Sequence, residues 1–349
     1  MSASSESLFN DPNWNSKVSN PAQIGGIETS ILDNGPGRNS RIAWVNTGSG
    51  LRFKVVPDRG LDIAEAFMNA WSLSWISHHG TVSPRPFAIQ GVEWLRSFGG
   101  GMVTTCGLDH VGGPENDEYG VRGLHGEISN IPAEIISIVQ PDLYSNQNTM
   151  SITGRMLQST VFEPHLELIR TISVRLGSSE IQINDKVRNI GNQPAPHMIL
   201  YHLNFGWPLI DQGTKILWQG EWISRDSDMD RKIFNNDNDF RTCPDVLESH
   251  SGGGEAAVFI DPDTDQDGRY HFGLYNPKIG LEVMVSALKN QLPALTNWQH
   301  FGQREYVLGL EPGTHHPIGQ SGARDQGNLI YLQPDESREY DLKFDIKLK

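Results

Sequence analysis

Two stretches of the sequence end in side chains that could exchange protons with a ligand. In the first, residues 197–205, one face of the implied strand changes from apolar to polar at His202 and Asn204, while the other face is wholly apolar. A central strand that is covered on both faces should be apolar throughout, so this change predicts a strand that ends at a pocket. The alternative is a buried, hydrogen-bonded histidine in the core.

The second stretch ends in a carboxylate. Glu311 shares its strand face with Val307 and Gly309. A carboxylate at the end of an apolar strand loses hydration, so its pKa rises towards the range that suits a general base. Gly309 leaves space beside it. The alternative is that Glu311 pairs with a cation such as Arg59 or Arg324 and only holds loops together.

Two glycine-rich segments place histidines beside acidic side chains. Residues 99–114 contain Asp109 and His110, and residues 123–130 contain His125. Glycine lets the backbone approach a ligand closely, and His and Asp supply hydrogen bonds. The same composition is also typical of tight turns whose polar side chains cap the local backbone.

An aromatic segment could supply a sugar-binding surface. Within residues 296–300, Trp298 and His300 share one face, and Gln299 lies between them. A Trp ring offers a flat apolar surface for a sugar ring, and imidazole and amide groups suit hydroxyls. A Trp that packs in the core is the alternative.

The acidic segment 263–268 matches the first half of an EF-hand calcium loop. Its twelfth position is Leu274, where a bidentate Glu is required, and a strand pattern follows. We therefore interpret the segment as an acidic turn. The histidines form no pair at a typical metal-ligand spacing, and the two cysteines allow no disulfide framework or Cys-based zinc site. We expect no bound metal and no other cofactor.

Composition argues against several classes of function. The 349 residues include 28 basic and 42 acidic side chains, so the net charge is −14. This balance argues against a nucleic-acid-binding surface, which needs clustered Lys and Arg. A membrane span would need an apolar run of about 18 residues, and none occurs. Residues 1–7 lack the pattern of a secretory signal. We expect a soluble, cytoplasmic protein.

The elements that must position these side chains are mostly β-strands. Residues 166–176 and 181–187 alternate around a Gly-Ser turn, which predicts a hairpin. One short helix is predicted over residues 90–97, and the polar stretches 225–239 and 248–268 are predicted as surface loops. Without a linker between separate cores, we predict an all-β fold: one large antiparallel β-sandwich with few short helices. Further strands are predicted at 41–46, 51–57, 150–157, 197–205, 270–275, 280–286, 305–310, 328–332 and 339–347.

Three of these motifs occur in an order that resembles the aldose 1-epimerase (galactose mutarotase-like) superfamily. His125 lies in Leu-His-Gly, His202 in His-Leu-Asn-Phe, and Glu311 in Gly-Leu-Glu-Pro. Segments 57–63, 123–130 and 310–317 look most similar to an uncharacterised branch of that superfamily, described as a domain of unknown function. The motifs are short, and their order and spacing along the chain carry the resemblance.

The resemblance implies a fold and a division of the chain. It extends over about residues 20–349 and implies a large twisted antiparallel β-sandwich. We therefore expect residues 1–20 to form an N-terminal extension and residues 21–349 to form a single domain.

The resemblance also implies roles for individual residues. Glu311 matches the catalytic base, His202 the general acid and His125 a substrate-binding histidine. Arg59 is matched to the superfamily's substrate-binding arginine because it precedes the His125 loop, although its local motif differs.

Two features depart from the superfamily pattern. His202 is followed by Leu-Asn-Phe rather than Tyr-Phe-Asn, so the side-chain order at the sugar pocket differs. The aspartate that grips sugar hydroxyls has no clear match, and Asp109, Asp211 and Asp228 are all candidates. The predicted substrate-binding residues are Arg59, Asp109, His110, His125, Asn204, Trp298, Gln299, His300 and His315.

The sequence therefore predicts an isomerase that interconverts the anomers of a small-molecule sugar by general acid–base catalysis. Two alternatives stay open: a non-catalytic sugar-binding module, and a metal-assisted isomerase or epimerase of a keto- or modified sugar that uses the additional histidines. The identity of the sugar and the oligomeric state are not predicted. No cluster of Lys and Arg lies near the motifs, which argues against a sugar phosphate.

Overall fold

A computed structural model of the protein describes residues 13–87, 89–142, 144–145 and 147–349. The predictions made for residues 1–12, as part of an N-terminal extension without a secretory signal, lie outside the described residues. Across the described ranges, the helices are all too short or too polar to cross a membrane.

Strands dominate the described part of the chain. The two α-helices are α1 (Asp228–Ile233) and α2 (Gly319–Asp325). The strands in chain order are β1 (Gly26–Ile31), β2 (Arg41–Asn46), β3 (Leu51–Val56), β4 (Asp62–Met68), β5 (Trp71–Ser72), β6 (Thr104–Leu108), β7 (Glu115–Asp117), β8 (Gly120–Arg122), β9 (Glu134–Val139), β10 (Thr149–Ser159), β11 (His165–Arg175), β12 (Glu180–Asn189), β13 (Ala195–Phe205), β14 (Lys215–Leu217), β15 (Gly220–Ser224), β16 (Ala256–Pro262), β17 (Arg269–Asn276), β18 (Leu281–Leu288), β19 (Ala294–Gly302), β20 (Glu305–Gly313), β21 (Ile330–Leu332) and β22 (Ser337–Leu348).

These strands form three large antiparallel sheets and one small ribbon. The first sheet is the meander β1-β2-β3-β4-β5, and the second has the order β14-β17-β18-β22-β12-β11-β10-β9. The third has the order β15-β16-β19-β20-β13-β21, with β6 also paired to β13, and β7 pairs with β8. The prediction of an all-β antiparallel fold with few short helices is confirmed.

Strand β13 lies in the third sheet between β20 on one side and β6 and β21 on the other, and it is buried on both faces. Ile199, Tyr201, Leu203 and Phe205 belong to the main hydrophobic core, which draws side chains from all three large sheets. On the opposite face, Met198 and Leu200 belong to a second, smaller cluster with Trp94 and Phe98. The alternation read from the sequence is therefore correct, and the face that carries His202 is covered by a loop rather than by a sheet.

Two polar stretches differ from prediction. Residues 225–239 and 248–268 are predicted as loops, but they contain α1 and all of β16, respectively. The strand begins at the apolar run Ala256–Ile260. Glycines and acidic residues flank this run, so the stretch as a whole resembles a loop in the sequence. Helix α1 begins after Ser227, whose hydroxyl accepts a hydrogen bond from the Asp230 N–H.

Other predicted elements agree with the structure. Every predicted strand overlaps an observed strand, and the hairpin is β11–β12. The predicted helix over residues 90–97 is reduced to a 3-10 turn over Glu93–Arg96. The acidic segment 263–268 is the turn between β16 and β17, where Asp265 Oδ1 accepts hydrogen bonds from the backbone N–H groups of Asp267 and Arg269. The division at residue 21 stays a prediction.

A buried ion network joins the sheets behind β13. The guanidinium of Arg170 is fully buried and contacts Asp62 at 2.6 Å and Asp185 at 2.6 Å. Tyr201, on the core face of β13, donates its hydroxyl proton to Asp185 at 2.7 Å. The two carboxylates match the guanidinium, so the network is satisfied only when β4, β11, β12 and β13 are all in place.

We expect Arg170→Met to destabilise the fold strongly. The substitution leaves Asp62 and Asp185 buried without a cation, and breaking a buried pair in this way costs about 3–5 kcal/mol. Urea unfolding at neutral pH measures the loss. As a control, Arg231→Met removes an exposed ion pair with Asp228 and should leave the unfolding midpoint nearly unchanged. Equal small effects of both substitutions would contradict the role of the network.

Candidate active site

The register of three neighbouring strands places the key side chains in one row. Strand β13 pairs with β20 so that Leu203 lies opposite Leu310, and the next position in the same register brings His202 opposite Glu311. On the other side of β20, Thr296 of β19 lies opposite Glu311. Directly opposed residues on one sheet face have neighbouring Cβ atoms, so the row brings these side chains together.

His202 and Glu311 form an almost fully buried pair. The Nε2 atom of His202 lies 3.2 Å from Oε1 of Glu311. This contact does not have hydrogen-bond geometry, so within the described residues neither the Nδ1 atom of His202 nor Oε1 of Glu311 has a hydrogen-bond partner. Buried polar atoms are normally paired, so these two unmet groups indicate a place for a ligand hydroxyl or a water.

A glycine beside the pair makes room for it. A Cβ at position 309 would lie 2.7 Å from Oε1 of Glu311 and 3.1 Å from Cε3 of Trp298. The backbone at Gly309 has an ordinary conformation, so the reason for glycine here is space. The sequence indicated that space, and the structure shows that the Glu311 carboxylate and the Trp298 indole occupy it.

A chain of ion pairs and hydrogen bonds fixes Trp298. Its indole N–H donates to Glu255, and Arg225 donates to the other oxygen of Glu255 at 2.8 Å. Arg225 also donates to Asp230 at 3.1 Å. The indole orientation is therefore set by Glu255, and the charge of Arg225 is matched by two carboxylates.

His125 reaches the site from the loop that covers the sheet. Its backbone is in the left-handed region with φ of 59°, and it is held by hydrogen bonds from its N–H to Gly112 O and from Gly107 N–H to its carbonyl, both 3.0 Å. The ring packs edge-on against His202 with centroids 6.0 Å apart and against Trp94 at 4.9 Å. A non-glycine residue in this conformation stores strain, which is typical of a functional position.

Burial shifts the pKa values of the pair in opposite directions. It raises the pKa of Glu311 to about 8, with a contribution from the Glu255 carboxylate and opposition from Arg225. Burial, with a smaller contribution from the neighbouring His125, lowers the pKa of His202 to about 3. Both shifts disfavour charge, so the two groups together hold one exchangeable proton between about pH 3 and pH 8.

The pair opens onto a cavity of about 610 Å³. The strands of the third sheet supply its floor, and the segment between β5 and β9 supplies much of the covering wall. The side chains that line it include Trp75, Trp94, Phe98, His125, His202, Arg225, Glu255, Thr296, Trp298, His300, Glu305, Val307 and Glu311.

The structure brings together five of the residues predicted from the sequence. Glu311, His202, His125, Trp298 and His300 all line this cavity. The predicted shared face of Trp298 and His300 is observed, with parallel rings 6.2 Å apart.

The other predicted residues do not line the cavity. Their side chains form hydrogen bonds with backbone or side-chain groups elsewhere. Arg59 donates to the carbonyls of Ser129 and Val82 beside a separate small pocket. Asn204 donates to the carbonyls of His202 and Gly101.

The remaining predicted residues hold loops and strands in place. His110 bonds to Gly113 O, His315 bonds to Asn328 O, and Asp109 accepts from Gln158. Gln299 points to the core side, where it donates to Phe240 O.

The sequence missed the acidic and cationic part of the wall. None of Asp109, Asp211 and Asp228 lines the cavity, and Glu255 and Arg225 do so instead. Both lie in stretches predicted as loops, and only the pairing of β16 with β15 and β19 brings them over the floor. Among the described residues, no group of three or more His, Cys, Asp or Glu side chains is arranged to hold a metal ion.

We expect Glu255→Gln to lower the pKa of Glu311. The substitution removes the negative charge that disfavours ionisation of Glu311 and frees Arg225, which favours it. The titration of the ¹³C-labelled carboxyl groups by NMR measures the shift from about 8. Glu282→Gln, on the eight-stranded sheet, should leave the Glu311 titration unchanged. An unshifted or higher pKa in the Glu255 variant would contradict this account.

Solved structures resemble this chain over nearly its whole length. A protein of Klebsiella pneumoniae, provisionally described as an aldose 1-epimerase, has a TM-score of 0.83 and 23% identity, and the match covers 94% of this chain and 86% of that one. A galactose mutarotase-like protein of Clostridium acetobutylicum has a TM-score of 0.61 and 13% identity, covering 93% and 98%. Galactose 1-epimerase of Lactobacillus acidophilus has a TM-score of 0.60 and 10% identity, covering 92% and 98%.

At these identities, the likeness establishes the fold, and the predicted galactose mutarotase-like sandwich is confirmed. No curated protein matches the sequence. The profile of one protein family, described as a domain of unknown function (DUF4432), matches residues 37–346, which is most of the chain. The chain therefore belongs to the DUF4432 family.

Proposed function

We propose that the protein interconverts the anomers of a sugar, as an aldose 1-epimerase does. The observation that carries the proposal is the buried contact of 3.2 Å between His202 and Glu311 on the cavity floor. The anomeric oxygen and the ring oxygen of a sugar are bonded to the same carbon. An acid and a base that lie side by side can therefore each reach one of them.

The proposed reaction moves one proton onto the pair and one proton off it. The Glu311 carboxylate takes the proton of the anomeric hydroxyl while protonated His202 gives its proton to the ring oxygen, and the bond between that oxygen and the anomeric carbon breaks. The aldehyde then rotates, and closure on its other face returns both protons. Each such transfer contributes about 10²–10⁴-fold to the rate.

This exchange keeps the charge of the buried pair constant. Before ring opening the proton is on His202, and after ring opening it is on Glu311, so the pair is neutral overall at both stages. A low-dielectric site favours such a reaction because no net charge is created in it. The pKa shifts of the two groups place this proton on Glu311 before a sugar binds, so in the proposed reaction it passes to His202, 3.2 Å away, before the ring opens.

The cavity wall supports an uncharged sugar as the ligand. Trp94, Phe98 and Trp298 offer apolar surfaces for the faces of a sugar ring, and His125 and His300 offer hydrogen bonds to hydroxyls. Among the described residues of the lining, Arg225 carries the one guanidinium, and Asp230 and Glu255 already match its charge, so an anionic group such as a phosphate would find no unpaired guanidinium there.

We expect Glu311→Gln to abolish accelerated mutarotation while sugar binding stays measurable. The amide keeps the shape of the side chain but cannot accept the proton, and loss of one proton transfer lowers the rate by about 10²–10⁴-fold. Polarimetry on freshly dissolved glucose, galactose and other aldoses measures the rate, and calorimetry measures binding. Glu282→Gln serves as the control that keeps the rate.

Two results would count against the catalytic proposal. A Glu311→Gln protein with the full rate would place the base elsewhere. A wild-type protein that binds sugars without accelerating their mutarotation would be a non-catalytic sugar-binding module.

The rate should depend on pH as the one-proton state of the pair does. Above about pH 8 the pair loses its last proton, so the enzymatic rate should fall as the pH rises through that value. Between neutral pH and about pH 5 the rate should stay level, because the pair gains its second proton, on His202, only near pH 3. The uncatalysed rate is subtracted at each pH. A catalysed rate that keeps rising above pH 8 would contradict the shared-proton mechanism.

A further inference from the structure

The cavity is longer than one sugar ring. Glu311 and Glu305 both line it and both lie on β20, six residues apart. At about 3.3 Å per residue, the strand between them spans about 20 Å. A pyranose ring held at His202 and Glu311 would fill one end of this floor and leave the rest unoccupied.

Burial along the floor shows which end is closed. The side chain of Glu311 is 3% exposed and that of His202 is 7% exposed, whereas Glu305 is 47% exposed at the far end. His300 lies between them with a side-chain exposure of 9%. A sugar therefore reaches the reacting pair with its anomeric carbon first, and anything attached to its other end points towards Glu305.

The far part of the floor carries groups that suit a second sugar. The Glu305 carboxylate lies 3.5 Å from Nε2 of His300 and 3.8 Å from Nε2 of His78. His300 is oriented by its Nδ1 contact to Gly254 O at 2.6 Å, which turns Nε2 towards the cavity side. The Trp298 ring gives the stacking surface that a hexose needs, and the polar groups next to it give the hydrogen bonds.

We propose that the site accepts the reducing-end residue of an oligosaccharide, with the next sugar unit lying over Trp298 and His300 towards Glu305. This inference rests on the proposed mutarotase function. In it, the reducing-end ring occupies the closed end at His202 and Glu311, and the second ring gains contacts that a free monosaccharide cannot make. The contacts of the second ring raise kcat/KM because they also hold the first ring in place.

The test compares monosaccharides with disaccharides that carry the same sugar at the reducing end. Glucose is compared with maltose, cellobiose and lactose, galactose with galactobiose, and mannose with mannobiose, using two-dimensional exchange NMR to measure anomer interconversion. We expect at least one disaccharide to exceed its own monosaccharide in kcat/KM by about tenfold, which corresponds to 1.4 kcal/mol. Monosaccharides that react as well as every disaccharide would overturn the inference and leave the proposed function standing. No acceleration of any sugar would overturn both.

A variant tests the placement of the second ring. Glu305→Ala should lower the ratio of disaccharide to monosaccharide kcat/KM by about tenfold, since it removes a charged hydrogen-bonding group at the far end alone. His202→Gln serves as the contrast, because it should depress the rates of both sugars together. An unchanged ratio in the Glu305 variant would overturn the placement, and thermal unfolding of each variant verifies that it is folded.

Discussion

The antiparallel register between β13 and β20 is the constraint on which the candidate site depends. It puts His202 opposite Glu311, and a slip of one residue would turn one of them to the other face of the sheet. Core packing and a side-chain hydrogen bond both fix this register. Leu203 and Leu310 are buried in the main core, and the Thr314 hydroxyl accepts a hydrogen bond from the Ile199 N–H at 3.0 Å. The proposed chemistry therefore rests on backbone pairing and core packing.

The site trades stability for reactivity. Burying an unpaired carboxyl raises the pKa of Glu311 to about 8, from an ordinary value of 4.5. The folded state then binds a proton that the unfolded state has released, so this group contributes stability that is lost as the pH rises from about 4.5 towards 8. Folded proteins accept such costs mainly at functional positions. The left-handed backbone of His125 on the facing loop is a second cost of this kind.

The floor and the wall of the cavity differ in how visible they are in the sequence. Strand alternation placed His202, Trp298 and Glu311 on the right faces, because a period of two is a local property of the chain. The wall is built from Trp75, Trp94 and the Arg225–Glu255 pair, which no local pattern connects. Several polar residues that looked suited to a sugar, such as Asp109 and Gln299, instead bond to the backbone or to other side chains, and only their hydrogen bonds reveal this.

The sequence by itself determined the all-β class, half of the described strands and the two faces of β13, and it singled out His202 and Glu311 as candidates for proton exchange. These depend on side-chain type and short-range spacing, which a chain carries before it folds. Only the tertiary structure decided that His202 and Glu311 touch, that Glu255 rather than an aspartate lines the cavity, and that Arg59 lies elsewhere. Those outcomes depend on which strands pair and in which register, and pairing between strands about 100 residues apart is set by the burial of the whole core rather than by any local segment.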